Sequence, residues 1–116
     1  MIKIYYPDGT VVDKSSEFNK APTAEQVLQW IGAPPNYLEH VNILYRKDDQ
    51  SAYERAQMWV DESGHLRDKV ILNMEATKIY LYNSTKGDHT KMLEAIDTGY
   101  FIAGNAVVLT DEHELD

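Results

Sequence analysis

VILNMEATKIY, residues 70–80, changes its period in the middle, and the fold turns on how that change is read. Val70-Ile71-Leu72 is a short apolar, β-branched run of the kind that fills a buried strand. From Met74 onward the apolar positions follow helical spacing, with Met74, Ala76, Thr77, Ile79 and Tyr80 forming a broad inner face. Asn73 stands at the join. Asparagine is a preferred N-cap, because its side-chain oxygen can accept from a free amide of the first turn, and Glu75 falls where the helix dipole favours an anion. The stretch therefore predicts a buried strand running directly into a helix capped by Asn73.

Upstream, the signals are those of paired strands. Ala56, Met58 and Val60 alternate with Gln57, Trp59 and Asp61, and Val41, Ile43 and Tyr45 alternate with His40, Asn42 and Leu44. The polar KDDQS between them predicts a hairpin, and Asp61-Glu62-Ser63-Gly64 closes the second strand. At the N-terminus Ile2, Ile4 and Tyr6 alternate before the turn signal Pro7-Asp8-Gly9-Thr10, predicting a further hairpin into Val11-Val12. After a polar loop from Asp13 to Pro22, Thr23 and Gln26 form a capping-box pattern. A helix over 24–31 follows, ended by Gly32, Pro34 and Pro35.

Downstream, Asn83 to Lys91 reads as a polar connection, with a short helical turn around Met92 to Ile96. Tyr100 to Leu109 reads as a last strand bent at Gly104-Asn105. TDEHELD, residues 110–116, reads as a solvated acidic tail. Together these elements predict one α+β domain over residues 1–116: a mainly antiparallel sheet of about five strands with two or three helices packed on it. At 116 residues with 43% hydrophobic content the chain suffices for one core.

Nineteen acidic against eleven basic residues give a net charge of −8. That repels phosphate backbones and anionic lipid, so direct nucleic-acid binding is not expected. The chain has no cysteine, which removes disulfides and thiolate chemistry. MIKIYY lacks the long apolar core of a secretory signal, and no apolar run approaches the roughly 20 residues of a membrane span. The expected compartment is the cytoplasm, where the Asn83-Ser84-Thr85 triplet is no glycosylation site.

Little in the chain points to catalysis. His40, His65, His89 and His113 are dispersed without metal-ligand spacing, and the adjacent carboxylates are those an acidic chain shows by chance. The six glycines form no phosphate loop. No metal, cofactor or enzymatic activity is expected. The eight tyrosines and two tryptophans are more informative, since an exposed Tyr or Trp often anchors a partner. Tyr5, Tyr53 and Tyr82 are better placed for exposure than Tyr45 or Tyr80. Trp59 shares a strand face with Gln57, opposite Met58 and Val60, and is expected to pack under a helix or to meet a partner. Carboxylates such as Glu62 add an acidic surface that suits protein binding, or imitation of the DNA phosphate array.

The order YLEHVNIL, then QMWVDESGHLRDKVILNMEATKIYLY, then YFIAGNAVVLTDE, over about residues 37–112, resembles the family called domain of unknown function 3846, found largely in phages and other mobile elements. The resemblance lies in the acidic turn with Gly64, in Asn73 and Ala76 at the helix start, and in the Ile102 to Val108 pattern. It implies a small phage or mobile-element accessory protein and supplies no site residues.

The expected function is non-enzymatic binding of a host or phage protein, with inhibition of a host defence system as one form of it. The candidate binding residues are Trp59, Tyr53, Tyr82, Asn73 and Glu62. The alternative is a small-ligand or nucleotide-binding module with its pocket near the Asn73 helix start, where free amides could hold an anion. An uncovered sheet face would also suit a homodimer.

Overall fold

The computed structural model describes residues 1–32, 37–66 and 69–116. Its strands are β1 (Ile2–Tyr5), β2 (Val11–Asp13), β3 (Leu38–Tyr45), β4 (Glu54–Asp61) and β5 (Ala106–Leu109), and its helices are α1 (Ala24–Ile31), α2 (Met74–Thr85) and α3 (His89–Asp97). The strands form one sheet in the order β2-β1-β5-β4-β3, with every neighbouring pair antiparallel. The α+β architecture expected from the sequence is the one observed.

Alternation along the strands builds two cores rather than one. Ile2, Ile4, Val107 and Leu109 face α1 and pack with its Val27 and Ile31. Tyr5, Ile43, Tyr45, Met58, Val60 and Val108 face the other way, against Ala76 of α2 and Ile102. All four residues of β5 are buried because both of its faces are covered, which is why AVVL reads as a continuous apolar run. Each large aliphatic side chain sealed in this way contributes roughly 1.5–3 kcal/mol. Both faces of the sheet are therefore covered. Helices lie on both faces, and α3 packs against α2.

Helix α1 has the expected bounds. Thr23 Oγ1 accepts from Gln26 N–H at 3.1 Å, and Gly32 closes the helix at φ 78°. The reciprocal half of the capping box is absent: the Gln26 side chain donates to Gln29 Oε1 instead. Pro34 and Pro35 lie outside the described residues.

Other expectations change around residues 70–109. Val70 and Ile71 are 43% and 47% exposed and form no strand. Leu72 makes an isolated bridge to Ala103, flanked by two bonds, Asn73 N–H to the Ile102 carbonyl and Gly104 N–H to the Ile71 carbonyl, both 2.8 Å. The Asn83 to Lys91 connection is in fact the last turn of α2, a tight link and the first turn of α3. Thr85 lies on the inner face of α2 because its hydroxyl donates to the Leu81 carbonyl at 2.8 Å, so a polar residue is buried without an unpaired group. Lys86 and Gly87 turn the chain with φ 53° and 78°, and Asp88 caps α3 by accepting from Lys91 N–H. The last strand starts only at Ala106, after Gly104 bends the chain at φ 78°.

The acidic tail is docked, not solvated. His113 is 4% exposed. Its Nδ1 lies 2.7 Å from the Met1 amine and its Nε2 lies 3.0 Å from the Phe18 carbonyl. A carbonyl can only accept, so Nε2 is the donor to Phe18. Leu115 exchanges two hydrogen bonds with the Gln57 side chain, at 2.6 and 2.7 Å, and Asp111 pairs with Lys47.

Candidate interaction face

The hairpin loop between β3 and β4 is shaped by Asp48, whose Oδ1 accepts from Gln50 N–H and from the Ser51 hydroxyl. Those two bonds hold the Asp48 carboxyl below its usual range. The loop delivers Tyr53 to the start of β4, where it stacks on Tyr82 of α2, with ring centroids 4.1 Å apart and planes 7° from parallel. Gly87 makes room for this pair, since a Cβ there would stand 3.3 Å from the Tyr82 ring. The Arg46 guanidinium lies 5.0 Å from the centre of the Tyr53 ring and 3.6 Å from Asp49. Tyr53 has a raised hydroxyl pKa, first through desolvation and then through the Tyr82 hydroxyl beside it.

The stacked pair walls a cleft of about 450 Å³. Its floor includes Tyr5 and Tyr45, whose hydroxyls meet at 2.7 Å, together with Ile79 and Met92. Burial pushes the Tyr5 hydroxyl pKa far up, reinforced by its bond to Tyr45. Tyr5 is only 8% exposed, so its expected place among the exposed tyrosines is corrected: it alternates with Ile4 and falls on the α2 face. Glu75, Lys78 and His89 line the cleft with both signs of charge. Further along β3, on the same side of the sheet, lies a second groove of about 410 Å³ with Glu39, Asp61, Glu62, Val41 and Tyr100 among its lining. The His65 ring stacks on Phe101 beside it.

The structure brings together some of the candidate residues and separates others. Tyr53 and Tyr82 form one unit, and Glu62 lines the second groove. Trp59 lies on the opposite face of the sheet, half-buried against the core beneath α1 and stacked on His40 at 4.9 Å. Asn73 is fully buried. Its Oδ1 accepts from Ala76 N–H at 3.1 Å, and its Nδ2 donates to the carbonyls of Tyr5 at 2.9 Å and Gly104 at 2.8 Å. The helix start thus has no donor left on Asn73 for an anion. A hollow of about 80 Å³ lined by Ile31, Gly64 and Gly104 is well short of the roughly 300 Å³ at which ligand pockets begin.

Arg46 and Tyr100 were not among the sequence candidates. Arg46 follows directly on the alternation of β3, but no sequence pattern shows that its guanidinium lies over Tyr53. Tyr100 is 60% exposed because the strand expected from residue 100 begins later. Among the described residues no group of His, Asp and Glu is arranged to hold a metal ion. Among them, too, no helix is long and apolar enough to cross a membrane. No family model matches the chain, and no curated protein or solved structure matches it. The resemblance to domain of unknown function 3846 finds no support there.

Proposed function

We propose that this chain is a non-enzymatic binding protein that takes a partner protein on the face running along β3 and α2. The observation that carries this reading is the Tyr53–Tyr82 stack with Arg46 over it, at the edge of an open cleft. Tyr and Arg are enriched at the energetic centres of interfaces because each offers a large rigid surface with a polar end. Here they are held in place by their own contacts, so little side-chain freedom remains to be lost on binding. The wider setting, an accessory protein of a phage or mobile element acting on a host system, rests on the sequence resemblance alone. In the capture test, immobilised protein is exposed to bacterial lysate at near-physiological salt, beside a Tyr53→Ala/Tyr82→Ala variant with an unchanged circular dichroism spectrum. A discrete protein held by the parent and released by the variant is expected. Equal recovery on both, or none on either, contradicts the reading.

A second reading has its own observation. The cleft volume of about 450 Å³ lies within the usual range for small-molecule sites, and its planar tyrosine wall beside a guanidinium suits a flat anionic ligand such as a nucleotide. It replaces the pocket expected at Asn73. Thermal stabilisation by nucleotides that disappears in the same double variant would favour it, and absence of any shift would remove it.

A further inference from the structure

β3 is an edge strand of the sheet. It pairs with β4 over eight consecutive residues without a bulge, so its outer edge is long and uninterrupted. The Tyr37 carbonyl accepts from Glu62 N–H, and with the Leu38↔Asp61 register this directs the backbone groups of the odd-numbered residues of β3 toward β4. The N–H and C=O of His40, Asn42 and Leu44 therefore point outward. Among the described residues nothing bonds to them, and His40 and Asn42 are exposed. Sheet edges are ordinarily protected by lysine, proline, a bulge or short length. β2, at the other edge, has only three residues, whereas β3 has eight and carries no Lys, Arg or Pro.

The chemistry beside this edge specifies what would pair with it. Glu39 lies on the α2 side of β3, and the groove there includes Asp61 and Glu62 with no lysine or arginine among its described lining residues. In a strand added to β3, the residues opposite Glu39 and Val41 would project into that groove. The net charge of −8 has the same sign as the groove. A second copy would bring the same carboxylates and the same net charge, which disfavours it as the occupant.

We infer that the edge of β3 receives an extended, lysine- or arginine-bearing segment of a partner protein by strand addition, with basic side chains over the Glu39 and Glu62 carboxylates. This inference rests on the binding-face reading and names the partner segment by its chemistry: main-chain bonds give affinity, and the acidic groove selects the sequence.

The probe is a fluorescein-labelled ten-residue peptide of alternating Lys and Val, measured by anisotropy. Its counterparts are an alternating Glu and Val peptide and a Lys-Val peptide N-methylated on every second residue. The Lys-Val peptide is expected to bind, to weaken with salt, and to protect the amides of His40, Asn42 and Leu44 from hydrogen exchange. Asn42→Pro removes an outward donor and leaves the β4 ladder intact, so it should weaken binding about tenfold or more. Asn42→Ala should change binding less than about twofold, and Glu39→Lys/Glu62→Lys should abolish the preference for Lys over Glu. Even where Asn42→Pro does not fold, the N-methylated peptide tests the same bonds against the parent protein. It keeps its charge, so binding equal to the unmethylated peptide reduces the effect to bulk attraction and overturns the proposal. Absence of binding, or equal binding of the Glu-Val peptide, overturns it too. So does a dimer in sedimentation that Asn42→Pro dissociates, because the edge then belongs to a second copy. If the lysate partner is lost with Tyr53→Ala/Tyr82→Ala but kept by Asn42→Pro, strand addition fails while the binding-face reading stands.

Discussion

At the scale of single residues, Asn73 shows how one side chain can close several accounts together. Its type and position predict a cap, and the Oδ1 bond to Ala76 N–H is that cap. What its position could not show is the other end of the amide, which ties α2 to the end of β1 and to the bend before β5, across 68 and 31 residues of sequence. Asn73→Ala removes all three bonds and strands buried carbonyls, so it should destabilise by about 2–4 kcal/mol in urea unfolding. Asn73→Asp separates the roles: it keeps a capping oxygen but sets a carboxylate against two carbonyls. It should be at least as damaging as alanine, whereas recovery to near the parent would mean that capping is the whole role. Tyr5 gives a second test. Its hydroxyl pKa is raised by burial above the ordinary 10.0, so the stability this contributes is present below pH 10 and is lost as the pH rises beyond it. In an alkaline absorbance titration Tyr5 should stay un-ionised until the protein unfolds, and early ionisation of every tyrosine would contradict that.

Elements were legible where one local rule governs them. Helix α1 has a cap, a stripe and a glycine stop within ten residues, and the β3–β4 hairpin has clear alternation on both strands. Elements whose limits depend on distant partners were not. The end of α2 was hidden because Asn83-Ser84-Thr85 is polar throughout, and Thr85 is buried only by virtue of a bond to its own helix. Val70-Ile71 has strand composition, but among the described residues it pairs only through the single bridge at Leu72 and the Gly104 bond to the Ile71 carbonyl. The tail looked solvated because its anchors, Met1, Phe18, Gln57 and Lys47, are far away in sequence. One of those anchors has a measurable consequence. Lys47 holds the Asp111 carboxyl below 3.8, so the stabilisation is present above that value and is lost as the pH falls through the lower folded pKa. Both groups are largely exposed and the effect is modest. Asp111→Asn should flatten the fall of the urea midpoint between about pH 5 and pH 2.5, and an unchanged acid limb would show that the pair contributes nothing.

For the whole molecule, antiparallel topology with helices on both faces leaves the outer edge of β3 open among the described residues, next to a tyrosine cleft at one end and a carboxylate groove at the other. Of the tyrosines expected to be exposed on this face, Tyr53 is exposed and Tyr82 is half-buried. Their stacking was not foreseeable, since they are 29 residues apart on different elements. Trp59 was drawn to the other side by the second core under α1. A partner protein is proposed to bind on this face. The most direct measurement places a photoreactive phenylalanine at position 53 or 82, or at the exposed Glu17 in the turn after β2, and irradiates each protein in bacterial lysate. One discrete adduct from positions 53 and 82, with none from position 17, is the predicted result. No discrete adduct at either tyrosine position, or the same adduct from all three, would contradict the account.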